Sequence, residues 1–238
     1  MLLEDQTALV TGASRGIGRA IARALAGEGA RLVLVSRGAD DLEQTASLCR
    51  ADGADAVSVR RLDLADSRAV EDLCKELLDQ DGVDVLVNNA GAFVDGTALA
   101  GDPGEWEGGL RLNVLAPMHL TRRLAPAMVE RERGTIINLG SVAAIEGMEA
   151  AGAYATTKHA LRGWSLSCYQ ALRKHGIKVV LINPGFVDTD MTAGVEGADR
   201  SRMLAPEDVA EAAMLAVRTR PACCPEEITL RLTKPPLG

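Results

Sequence analysis

The chain alternates short apolar runs with longer stretches in which apolar residues recur every three or four positions. Ala8-Leu9-Val10 is the first run. After a Gly-rich turn, Ile17, Ile21, Ala24 and Leu25 share one face of a helix that Gly27 and Gly29 end. Arg31-Leu32-Val33-Leu34-Val35 is almost continuously apolar, as a strand covered on both faces should be. The same reading predicts strands at Ala56–Val59, Val83–Val87, Thr135–Leu139, Lys178–Ile182 and Glu227–Leu232. Helices are predicted over Asp40–Arg50, Ser67–Asp79, Glu105–Glu130 with a break near Pro117, and Tyr154–His175. A last helix starts at Pro206-Glu207-Asp208, where Pro and acids suit a first turn. Strand–helix alternation at this spacing implies right-handed crossovers. The expected fold is therefore α/β: a doubly wound, mostly parallel sheet of about seven strands with helices on both faces. No linker, low-complexity tract or short repeat interrupts the 238 residues, so 1–238 is read as a single domain.

Composition narrows the functional classes. The chain is 47% hydrophobic but only 3% aromatic, so the core is built from Ala, Val, Leu and Ile. Stacking platforms for single-stranded nucleic acid lack the rings they need. A net charge of −7 argues against nucleic acid and anionic membrane as partners, while leaving room for a local phosphate site. Cys49, Cys74, Cys168, Cys223 and Cys224 form no CxxC pair and read as reduced thiols, with the adjacent last two open to reactivity. No run approaches the ~20 apolar residues of a membrane span, and Met1–Asp5 has no signal-peptide character. A cytoplasmic location is expected.

Thr11-Gly12-Ala13-Ser14-Arg15-Gly16-Ile17-Gly18 sits where the first strand meets the first helix. Glycines permit a tight turn, and a helix N-terminus offers unpaired N–H groups and a positive dipole end to a diphosphate. The spacing is GxxxGxG, neither the GxGxxG dinucleotide fingerprint nor a P-loop. Taken alone, the loop is equally compatible with a simple tight turn.

Further motifs follow in order. They are Asn88-Asn89-Ala90-Gly91, Asn113, Ser141, Tyr154-x-x-x-Lys158 and Pro184-Gly185, with Ser141 thirteen positions before Tyr154. Together with the glycine loop this series closely resembles the short-chain dehydrogenase/reductase family over nearly the whole chain. The resemblance implies a Rossmann-like sheet. It makes Tyr154 the general acid/base and Ser141 the residue that orients the substrate carbonyl. Lys158 would lower the Tyr154 pKa and bind the nicotinamide ribose, and Asn113 would hold a water that links Lys158 to solvent. The physics agrees: residues four apart share a helix face, and a nearby ammonium favours a phenolate whose ordinary pKa is ≈10. His119, His159 and His175 have no family role and read as structural.

Cofactor choice turns on the end of the second strand. A carboxylate there would bond a ribose 2′-OH and repel a 2′-phosphate. Ser36-Arg37 stands instead, and Arg37 can stack on adenine or pair with phosphate. Arg15, within the glycine loop, is a second cation. NADP(H) is therefore expected over NAD(H), although each arginine alone could be an ordinary solvated charge. By resemblance, Gly12, Ser14, Gly16, Ile17 and Gly18 hold the diphosphate, while Asp63 and Leu64 contact adenine. Asn89, Ala90 and Gly91 line the adenosine side. Tyr154 and Lys158 meet the nicotinamide ribose, and Pro184, Gly185, Val187 and Thr189 face the nicotinamide.

The expected partner is a small-molecule carbonyl or alcohol, and the expected enzyme a carbonyl reductase or 3-oxoacyl-thioester reductase. The substrate pocket should come from Phe93–Thr97, Val142–Gly152, Phe186 and Asp190–Leu204, the last either a mobile lid or a plain surface loop. Thr233–Gly238 lacks the Asp-Gly-Gly ending common in tetrameric relatives, so homodimer and homotetramer both stay open. Two other classes remain: a catalytically silent NADP-binding regulator, which has no need of the Asn113, Ser141, Tyr154 and Lys158 set, and a sugar-nucleotide epimerase or dehydratase. The latter usually needs a longer C-terminal substrate region than the 80 residues after Lys158.

Overall fold

Seven parallel strands form one sheet in a computed structural model that describes residues 1–236. They are β1 (Thr7–Thr11), β2 (Arg31–Ser36), β3 (Ala56–Arg61), β4 (Val85–Asn88), β5 (Gly134–Leu139), β6 (Ile177–Pro184) and β7 (Glu227–Leu230). Their order across the sheet is β3-β2-β1-β4-β5-β6-β7. The helices are α1 (Gly16–Gly27), α2 (Ala39–Asp52), α3 (Ser67–Leu78), α4 (Pro103–Leu110), α5 (Ala116–Glu130), α6 (Gly152–Leu172) and α7 (Pro206–Arg218). This is the doubly wound, Rossmann-like arrangement expected from the alternation.

The continuous apolar strands serve two cores at once, because alternate residues face opposite sides of a sheet. Ala8, Val10, Leu32, Leu34, Val85, Val87, Val180 and Ile182 pack on one side with α1, α2 and α7. Leu9, Val33, Val35, Leu86, Ile136 and Val179 pack on the other with α3, α5 and α6. Strand order reverses between β1 and β4. In such sheets a crevice opens at that point, beyond the carboxyl ends of the strands.

Several boundaries differ from the sequence reading. β4 begins at Val85 because Asp84 is occupied at the sheet's end: its carboxylate accepts from the Thr7 N–H at 2.9 Å. β7 ends at Leu230, and Arg231 turns away to pair with Glu146. The long helix is interrupted before Pro117, by a π-helical turn over Arg111–Leu115 in which the Ala116 N–H donates to the Arg111 carbonyl. Pro117 has no N–H, so the α-helical bond to the carbonyl of Asn113 cannot form. Among the described residues no helix is long and apolar enough to cross a membrane. Leu237 and Gly238, the end of the terminal segment discussed above, lie outside the described residues.

Candidate active site

The glycine loop is stitched to the end of β4 by side chains. Thr11 Oγ1 donates to the Val87 carbonyl at 3.0 Å and accepts from the N–H groups of Asn89 and Ala90, both at 3.0 Å. Asn89 Nδ2 donates to the carbonyls of Thr11 and Gly12 at 2.9 and 3.2 Å. Gly12 and Gly16 take φ of +64° and +53°, in the left-handed region that favours glycine. A Cβ on Gly18 would lie 2.2 Å from the Gly12 carbonyl oxygen, so bare backbone is what brings α1 this close. Gly18→Ala should therefore cost about 1–3 kcal/mol of stability, as overpacking does, and weaken dinucleotide binding. Urea melts and a cofactor titration check both.

The N-terminus of α1 carries no side-chain cap and no acid in its first turn. By contrast, α2 has Asp40 and Asp41, α3 is capped by Asp66, α4 by Asp102, and α7 has Glu207 and Asp208. The open N–H groups and dipole end of α1, beside a glycine turn, fit a dinucleotide diphosphate. Ser14 anchors the loop from behind, its carbonyl accepting from Arg19 Nε at 3.1 Å and Thr45 Oγ1 at 3.2 Å. Ile17 is half-buried against the core. Thr189 presses its methyl on the loop, 3.1 Å from where a Gly16 Cβ would stand. That contact joins the loop to the segment after β6, where Pro184 and Val187 are buried and the Gly185 N–H donates to the Leu230 carbonyl at 2.8 Å.

At the end of β2, Ser36 is buried and its hydroxyl donates to the Gly38 carbonyl at 3.2 Å. Arg37 is exposed. Arg15 is committed elsewhere: its Nη1 lies 2.8 Å from Asp190 Oδ2. Both partners are about two-thirds exposed (65% and 66%), so this pair is weak and readily exchanged. Asp63 is exposed past β3, its Oδ1 accepting from the Ala65 N–H at 3.0 Å, and Leu64 is buried.

The four residues expected to carry catalysis converge. Tyr154 stands in the first turn of α6, and Lys158 one turn on places its Nζ 5.6 Å from the Tyr154 ring centroid. Lys158 is buried and donates to the Leu139 carbonyl at 2.9 Å. Ser141 follows β5; its hydroxyl lies near enough to Tyr154 to favour the phenolate, and it accepts from the Ala143 N–H at 3.1 Å. Its own N–H donates to Asn183 Oδ1 at 3.3 Å. Asn113 is buried in the π-helical turn. Gly91 lies against both Asn113 and Lys158: a Cβ there would be 3.2 Å from Asn113 Oδ1 and 3.6 Å from Lys158 Nζ.

One expectation needs correcting. Burial raises the Tyr154 pKa, and the group that opposes it is the Ser141 hydroxyl, not Lys158. Lys158 is itself desolvated, which brings its pKa down from 10.5 to about 8, and its nearest polar partner is the Leu139 carbonyl. Asn113 is held through both ends of its side chain. Its Oδ1 accepts from the Ala92 N–H at 2.9 Å, while Nδ2 donates to the Ala92 carbonyl at 2.9 Å and Thr157 Oγ1 at 3.1 Å.

Sequence reasoning passed over Thr157, Asn183 and Arg61. Thr157 Oγ1 donates to the Tyr154 carbonyl at 2.8 Å, tying Asn113 to the first turn of α6. Asn183 precedes Pro184 directly and is wholly buried, linking Ser141 to Glu227. Polar residues in otherwise apolar runs were the available signal. Arg61 carried none.

The chain matches the short chain dehydrogenase family model over residues 6–199. It is 33% identical over 232 residues to an uncharacterized oxidoreductase of Staphylococcus aureus (strain N315), covering 97% of this chain and 98% of that one. A metagenomic short-chain oxidoreductase solved in complex with NADP superposes with a TM-score of 0.85 at 34% identity, over 98% of this chain and 100% of that one. An alcohol dehydrogenase from the archaeon Thermococcus sibiricus, complexed with 5-hydroxy-NADP, gives 0.87 at 29% identity, over 96% and 97% of the two chains.

Proposed function

Because the chain belongs to the short-chain dehydrogenase family and is an oxidoreductase of that kind, we propose that it reduces a ketone or aldehyde to the alcohol with NADP(H). The observation that carries this reading is the meeting of Ser141, Tyr154 and Lys158 beyond the strand ends. Bound at α1, the cofactor would supply the hydride. Gly12 to Gly18, Asp63, Leu64 and Asn89 to Gly91 would hold its adenosine and diphosphate, and Pro184 to Thr189 its nicotinamide end.

The residues divide the remaining work. Ser141 donates to the substrate carbonyl and fixes its orientation. Tyr154 hands its hydroxyl proton to the oxygen that becomes the alcohol. A phenol raised by burial stays protonated at neutral pH, so the site is set for reduction there; oxidation needs the phenolate and should rise with alkalinity. Lys158 holds the ribose and restores the proton. Its path to solvent runs through a water on the main-chain carbonyl of Asn113, which Pro117 deprives of its α-helical partner.

An apolar cavity of about 310 Å³ opens beside Ser141, lined by Val142, Ala143, Met148, Phe186 and Leu232 with the Glu146–Arg231 pair. Phe93 stacks at 5.2 Å from Tyr154 and is 50% exposed. These surfaces suit a carbonyl attached to an apolar body, in keeping with a carbonyl reductase or a 3-oxoacyl-thioester reductase. We place the protein in the cytoplasm as a homodimer or homotetramer, with Leu110 and Leu115 as exposed apolar positions a second copy would cover. The test is turnover of NADPH and NADH against a ketone panel of increasing apolar bulk. Binding without turnover on any member would favour a silent regulator.

Cofactor preference has its own check. Arg37→Asp removes a phosphate partner and adds a repulsive charge. It should weaken NADPH by roughly ten- to hundredfold and leave NADH little changed or improved. Fluorescence titration of both nucleotides decides it.

A further inference from the structure

The ribose corner is filled differently from what the sequence suggests. Arg15, expected there, pairs with Asp190. Arg61, at the end of β3, is instead the Cα partner of Ser36 in the parallel ladder. Its Nε donates to the main-chain carbonyl of Arg37 at 3.0 Å. Arg60, the preceding residue, faces the other side of the sheet and pairs with Glu76 of α3. Alternation along the strand thus sends one arginine to a structural ion pair and the next to the cofactor corner.

Arg37 and Arg61 are both exposed, and among the described residues neither joins an ion pair. The acids close in sequence are Asp63, whose Oδ1 is held by the Ala65 N–H, and Asp40 and Asp41 in the first turn of α2. The bond from Arg61 Nε to the Arg37 carbonyl puts two arginines at one corner, and a dianionic phosphate there would have a charge-assisted donor from each.

Resting on the NADP(H) reading, we propose that Arg61 is a specificity-determining residue that binds the 2′-phosphate of the cofactor together with Arg37. The Nε bond fixes the guanidinium against the Arg37 carbonyl, and it leaves the two Nη groups to donate to phosphate oxygens. A bare ribose 2′-OH offers them no charge, so Arg61 discriminates between the two nucleotides. Arg15 is then a secondary contact that must first leave Asp190.

The experiment is fluorescence titration of NADPH and NADH on the native protein and on Arg61→Ala, Arg61→Lys and Arg15→Ala, each with its melting temperature. Arg61→Ala should weaken NADPH roughly tenfold, the low end for a charge-assisted bond in partial contact with water, and leave NADH within about twofold. Arg61→Lys should recover part of the loss, and Arg15→Ala should lose less than Arg61→Ala. Displacement by adenosine 2′,5′-bisphosphate should weaken with the Arg61→Ala change, while displacement by adenosine 5′-monophosphate should not. A native preference for NADPH that is undiminished in Arg61→Ala overturns the inference alone. Equal weakening of both nucleotides, or a melting point that falls along with them, assigns Arg61 a structural role and also overturns it. Native protein that binds NADH as tightly as NADPH overturns the cofactor reading and this inference with it.

Discussion

Tyr154→Phe should lower turnover by ~10²–10⁴-fold, the contribution of a positioned proton donor, while NADPH affinity stays within about twofold. The substitution keeps the ring that stacks on Phe93 at 5.2 Å and deletes the hydroxyl that Ser141 influences. Lys158 keeps its bond to the Leu139 carbonyl, so the other residue assigned to the ribose stays in place. Steady-state rates with a good ketone, paired with a nucleotide titration, separate the two effects. Ser141→Ala sharpens the test. The Ser141 hydroxyl is what opposes the upward pull of burial on Tyr154, so its removal should push the phenol higher still. The alcohol-oxidation profile of that variant should move to more alkaline pH. Near-native turnover by Tyr154→Phe would mean that the proton comes from elsewhere.

Most of the fold was legible because each strand must feed two cores. A run such as Arg31–Val35 can be apolar throughout only if both faces are covered, and it is: Leu32 and Leu34 go to one side, Val33 and Val35 to the other. The glycine loop was legible for a steric reason that the Gly18–Gly12 approach makes explicit. The break in the long helix was foreseen at Pro117 but lies one turn earlier, because a proline disturbs the carbonyl four residues before it. That shift places Asn113 inside the irregular turn, so the kink and the placing of Asn113 are one feature. What stayed hidden depended on side-chain direction across the sheet or between distant segments. Nothing in the chain says that Arg15 would reach Asp190, or that Arg61 rather than Arg60 would lie at Arg37. Nor does four-residue spacing reveal that burial brings the Lys158 pKa down to about 8.

Lys158→Met should abolish activity and yet remove a stability cost from the free protein. Burial lowers the Lys158 pKa from 10.5 to about 8, so the folded state binds this proton less readily than the unfolded chain does. Between those two values the unfolded state holds more protons, and native stability therefore rises with pH across that window. Below it the cost is fully present, about 3 kcal/mol at 1.36 kcal/mol per pK unit. Methionine fills similar space without the charge, but it leaves the Leu139 carbonyl without its donor, which returns about 1–3 kcal/mol. The net change at neutral pH is thus small and of either sign; the pH dependence is the decisive quantity. Groups common to both proteins cancel in the difference, so native protein should gain about 3 kcal/mol on the variant between pH 8 and 10.5. Urea unfolding across that range measures it. Parallel curves would show that the ammonium is not desolvated in the free protein. An anionic cofactor would favour the ammonium, so saturating NADPH should flatten the native curve over the same window. A protein that carries a destabilising buried lysine until its cofactor arrives would be showing a functional residue held at the expense of stability.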